Sequence, residues 1–99
     1  MPMTVIVTRD VADRYRGFLA SVMLEVAPGV YVAPDLSKAV RLRVWTVLAD
    51  WWGSLPGGSM VMAWRDPGEP GGMGLNTLGL PPIHLVDLDG LLVARRPVP

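Results

Sequence analysis

The chain reads as an α+β protein: a ferredoxin-like βαββαβ sandwich of two helices over an antiparallel sheet, followed by an extra C-terminal strand segment. Three observations predict it. First, Pro28-Gly29 joins two very short strand patterns, Leu24-Glu25-Val26-Ala27 and Val30-Tyr31-Val32-Ala33. Second, this hairpin lies between two helical patterns. Third, further strand patterns precede the first helix and follow the second.

The first strand is Met3-Thr4-Val5-Ile6-Val7-Thr8, apolar at nearly every position, as expected inside a sheet. The first helix is expected over residues 11–24, where Val11, Tyr15, Phe18, Leu19 and Val22 share one side. Asp10 has the chemistry of its N-cap, a carboxylate able to accept free amide hydrogens of the first turn. In the hairpin, proline presets the turn's φ and glycine accepts a positive φ. The second helix follows Pro34-Asp35 and runs to about residue 52. Its expected inner stripe is Leu36, Val40, Val44, Val47, Leu48 and Trp51. Gly53 and the segment Ser54-Leu55-Pro56-Gly57-Gly58 stop it. Met60-Val61-Met62-Ala63-Trp64 is the next strand, and Met73 to Leu80 one more, weakened by Gly74 and Gly79.

The core is then complete, and residues 1–80 form one unit. Residues 81–99 form an extension in which Leu85-Val86-Asp87-Leu88 and Leu91-Leu92-Val93-Ala94 flank an Asp89-Gly90 turn. An apolar strand pair outside the core must bury itself elsewhere, so Val86, Leu88, Leu91 and Val93 are candidate partner-binding residues. A final hairpin on its own sheet is the simpler alternative.

Ninety-nine residues make one domain with much exposed surface, yet the hydrophobic fraction is 51%. That surplus predicts a buried interface and hence a homodimer. No apolar run approaches the ~20 residues of a membrane span, and no signal peptide is visible. The absence of cysteine excludes disulfides, thiol catalysis and cysteine-ligated zinc, and fits a cytoplasmic location. Formal net charge is zero, so tight DNA binding by the chain alone is not expected.

With these elements in order, the chain resembles the small CRISPR-associated adaptation protein Cas-two, in the branch found with type I-E systems. The resemblance runs almost end to end. It is carried by Val5-Ile6-Val7-Thr8, by Val11 with Arg14-Tyr15-Arg16-Gly17 and Leu19, and by Leu24-Glu25-Val26 with Gly29-Val30-Tyr31-Val32. It continues through Arg41 with Trp45, Val61-Met62-Ala63-Trp64, Thr77-Leu78-Gly79-Leu80 and Val86-Asp87-Leu88-Asp89-Gly90-Leu91. It implies a ferredoxin-like homodimer that bridges two dimers of the Cas-one integrase and supports double-stranded spacer DNA. It also implies that the C-terminal segment reaches the neighbouring subunit and docks the integrase by strand addition.

In the wider family an acid ends the first strand and, paired across the dimer axis, holds Mg²⁺ for phosphodiester hydrolysis. Here that position is Arg9, and Asp10 comes one place later. A one-residue step points to the other face of a strand, and capping is the simpler role for Asp10. Asp10 is thus a weak candidate as catalytic or metal-binding residue. The leading reading is a non-catalytic adaptor without a cofactor. The alternative is an Mg²⁺-dependent endonuclease acting on RNA or duplex DNA. A single-stranded RNA reader ranks last, because Met60-Val61-Met62-Ala63 offers no stacking aromatics.

The resemblance makes Arg14 and Arg16 DNA-phosphate contacts; they flank the buried face of the first helix near its N-terminus, where the dipole favours phosphate. Relatives carry a basic pair where this chain has Pro82-Ile83, so Arg41, Arg43 and Lys38 are candidates to rebuild the duplex track. His84, the lone histidine, reads as structural or surface. Leu42, Trp45, Ala49 and Trp52 form a second ridge on the second helix. The first helix or the C-terminal segment covers it, or it is a partner-binding patch.

Overall fold

The computed structural model describes residues 2–81 and 84–95. Its elements are β1 (Thr4–Arg9), α1 (Asp13–Val22), β2 (Leu24–Ala27), β3 (Val30–Ala33) and α2 (Lys38–Ser54). They continue with β4 (Ser59–Arg65), a 3-10 turn (Pro70–Gly72), β5 (Met73–Leu78), β6 (His84–Leu88) and β7 (Leu91–Arg95). The main sheet has the order β2-β3-β1-β4-β5, antiparallel throughout. Each helix links two strands that run in the same direction and leaves room for a third between them. This is the ferredoxin-like arrangement with β5 added beyond β4.

The first strand is central because both its edges are used: Ile6 stands opposite Tyr31 of β3 and Met62 of β4. Alternation then sorts the side chains. Thr4, Ile6, Tyr31, Met60 and Met62 are buried under the helices with Tyr15, Leu19 and Leu48. The opposite face carries Val5, Val7, Leu24, Val26, Val30, Val32 and Val61, of which Val7, Leu24 and Val26 are exposed. An antiparallel sheet tolerates one uncovered face when that face is polar; here it is valine-rich.

Several expectations are corrected. The first helix begins at Asp13 and ends at Val22, inside the expected 11–24. Asp10 does not cap it. The cap position is Ala12, with no side-chain hydrogen bond, and Asp10 has a left-handed φ of 56°. The chain must turn sharply out of β1, and a short polar side chain tolerates that conformation. Gly58, also at positive φ, packs against the Arg9 and Asp10 carbonyls in space a Cβ would fill. The second helix is capped by Ser37, whose Oγ accepts the Val40 N–H at 3.2 Å, and it runs past residue 52 to Ser54.

The inner face of α2 keeps Val44 and Leu48 of the expected stripe, with Val47 half-buried, but is turned toward Arg41 in place of Val40. Arg41, Val44 and Leu48 are buried, Val40 is exposed, and Leu36 is buried but precedes the helix. Trp45, Trp51 and Trp52 are half-buried against the core. Leu42 and Ala49 point outward. The second ridge is thus split, its tryptophans half-buried against the core and Leu42 and Ala49 exposed. Trp52 lies 6.2 Å from Tyr15 of α1, ring to ring, and presses on Gly79 after β5. The rotation follows from large side chains: Arg41 stacks over Trp64 of β4, with guanidinium carbon to ring centroid 4.3 Å. The Trp64 ring in turn lies across Gly74 of β5, where any Cβ would collide with it.

The strands β6 and β7 form a separate two-stranded sheet. Asp89 and Gly90 both have positive φ, 52° and 85°, as a type I′ turn requires. Leu92 packs against Gly71 in the 3-10 turn. The other face pairs Val86 with Val93 and Leu88 with Leu91. Leu88 and Leu91 are 51% and 67% exposed. Pro82-Ile83 and the side chain of His84 lie outside what the structure describes.

Candidate functional site

The N-terminal half of α1 carries Arg14 and Arg16 on opposite flanks, because Tyr15 between them points inward. The Tyr15 hydroxyl donates to the Leu55 carbonyl at 2.7 Å, which pins α1 to the end of α2. Burial pushes this phenol above its ordinary value, with Arg14 opposing. Arg14 lies over Trp51 of α2, its guanidinium carbon 4.0 Å from the ring centroid. Phe18 meets the same tryptophan edge-on at 5.3 Å. Trp51 thus orients Arg14 without removing its charge or all its donors. The indole partner of Arg14 was not legible in the sequence; the i, i+4 pair Arg14 and Phe18 on one helix edge was the only signal for an aromatic neighbour.

Arg16 turns toward the β2–β3 hairpin. Its Nη2 lies 3.9 Å from Glu25 Oε2, both side chains being part-exposed. Such a pair is worth little and is easily exchanged for another anion. Glu25 also accepts the Gly29 N–H at 3.3 Å. Behind it, burial pushes the Tyr31 phenol up; Glu25 adds to the shift and Arg16 opposes it. Thr8, Asp10, Val11, Arg16, Pro28 and Gly29 line a concavity of about 360 Å³ at this end of the sheet. Asp10 is the one acid of that lining and Arg16 the one base. Among the described residues, no three His, Cys, Asp or Glu side chains stand close enough to share a metal ion.

The other predicted cations lie apart. Arg43 is exposed on α2. Arg41 is 5% exposed beneath Trp64, not on an open flank. The reason is the helix rotation described above, and the exchange of Arg41 for a surface position was not signalled by any local charge pattern. The four arginines therefore do not form one stripe within a single chain. Val86, Leu88, Leu91 and Val93 do come together, on the outer face of the C-terminal hairpin. Among the described residues, no helix is long and apolar enough to cross a membrane.

Against this geometry, a family model described as CRISPR-associated protein (Cas_Cas2CT1978) matches residues 3–93. That span takes in the whole five-stranded sheet, both helices and the β6–β7 turn with most of β7. The chain belongs to this CRISPR-associated, Cas2-type family.

Proposed function

We propose that the protein is the non-catalytic adaptor of a CRISPR spacer-acquisition complex, in the type I-E branch. In this reading it is a homodimer that spaces two dimers of the Cas-one integrase and supports the duplex between them. The observation that carries the reading is the amount of apolar surface left open on an otherwise well-packed fold: the valine-rich face of the main sheet and the outer face of the C-terminal hairpin. Monomeric soluble proteins seldom expose such surfaces, and interfaces cover them. The first suits a second copy of the chain, the second a partner that accepts strands. Arg14, Arg16 and Arg43 supply exposed cations for a phosphate backbone, in keeping with contacts that position a duplex without reading it.

Arg9 at the end of β1, with Asp10 turned into a left-handed bend beside Arg16, favours the adaptor over the Mg²⁺-dependent nuclease. The test is spacer integration into a supercoiled target by the complex with its cognate integrase. Asp10→Asn is expected to leave integration within about twofold of the natural chain, because asparagine also tolerates positive φ. Loss of integration with folding intact restores the metal reading.

The Arg14→Ala, Arg16→Ala double variant is expected to keep the integrase complex and bind duplex DNA more weakly. The slope of log affinity against log salt should become shallower by roughly one unit per contact per bound copy. An unchanged slope makes both residues ordinary surface arginines.

A further inference from the structure

The geometry points to a second anion site, and we propose that it binds a phosphate group. It lies where the N-terminus of α2 meets the end of β4. Pro2, Lys38, Arg41, Arg65, Asp66 and Pro67 line an open, shallow concavity of about 450 Å³. It is remote from Arg16 and Asp10. Trp64 stands opposite Thr4 at the start of β1, and Ser59 opposite Arg9 at its end. Five residue steps along a strand separate the two ends by roughly 17 Å.

Arg41 carries the argument. It is 95% buried, yet its Nε has no hydrogen-bond partner, and among the described residues no carboxylate pairs with it. A guanidinium does not escape burial by losing its proton. A buried charge without a counter-ion is costly. The face of Trp64 offsets only part of that cost. Asp66, the one acid in the wall, has Oδ1 engaged by the Gly68 N–H at 3.0 Å. Lys38 opens α2, so the helix dipole adds to the positive potential. Three cations against one acid call for a ligand with more than one charge and several acceptor oxygens. Phosphate has both, whereas a carboxylate leaves donors unmatched.

The test is titration of the full chain with inorganic phosphate at fixed ionic strength, followed through the arginine Nε–H resonances by NMR. The expected result is a saturating shift of one Nε–H signal that is absent from Arg41→Met. Lys38→Ala and Arg65→Ala, both at exposed positions, should each weaken binding by about tenfold. Asp66→Asn should tighten it. These variants decide the matter even if Arg41→Met fails to fold. A shift that grows linearly without saturating, or an affinity unchanged in Lys38→Ala and Arg65→Ala, overturns the proposal. Two further arms identify the source: a nucleoside monophosphate that moves the same signal marks a free-nucleotide site, and a duplex active only when 5′-phosphorylated marks a nucleic-acid end. Neither readout needs the integrase, so this site and the adaptor reading fail separately.

Discussion

Under the proposed adaptor role, replacing Leu88 and Leu91 with glutamate is expected to abolish capture of the Cas-one integrase while leaving the protein folded. The two side chains face each other across the Asp89-Gly90 turn and point away from the main sheet, so charge at these positions meets solvent within the chain itself. In a docked complex the same carboxylates would be buried without partners. Interface centres of this kind carry most of the binding energy, and a change there typically costs 2 kcal/mol or more, about thirtyfold per site. Truncation before Leu85 should act in the same direction, because the five-stranded sheet closes by Leu78 without the hairpin. Circular dichroism and pull-down separate the outcomes. A folded double variant that still retains the integrase refutes docking through this face. A truncated chain that unfolds assigns the hairpin to the fold itself, through the packing of Leu92 on Gly71.

The largest expected stability effect lies in α2. Leu48 is fully buried beneath the sheet, and Leu48→Ala should cost about 2–5 kcal/mol, a large part of the net stability of a domain this size. Leu42→Ala, six residues earlier on the outer face, should change stability by about 0.5 kcal/mol or less. Urea unfolding of the two variants reads the orientation of the helix directly. Equal costs would mean that α2 does not pack on the sheet through the face that carries Leu48.

The contrast between those two leucines shows where the sequence was legible. Strand order and hairpins were readable because their signals are local: Pro28-Gly29 and Asp89-Gly90 each specify a turn within two residues. The position of Gly74 looked like a weakness in β5, and it is in fact the space that Trp64 occupies. The rotation of α2 was not readable because it rests on a charged residue facing inward. Arg41 breaks the rule that sorts arginine to the surface, and only its distant partner Trp64 explains why. Asp10 failed for a related reason: the same short polar side chain serves a helix cap and a left-handed turn, and the choice belongs to Gly58, far along the chain. Of the site, the outward hairpin face and the flanking arginines could be foreseen. The aromatic seat of Arg14 and the burial of Arg41 could not, because both depend on how the helices lie against each other and the sheet.

The central place of β1 bears on how the chain must be made. At its start this strand pairs with Trp64 on one side and Ala33 on the other. Sixty residues separate Thr4 from Trp64. At ordinary synthesis rates the valine-rich strand therefore waits roughly 3–12 s with one edge unpaired. Its neighbours β2–β3 and β4–β5 are short-range hairpins, so the pairing of β1 with β4 is the longest-range closure in the sheet. An open strand edge is a template for pairing with another chain, so the length of that interval bears on yield as well as on speed.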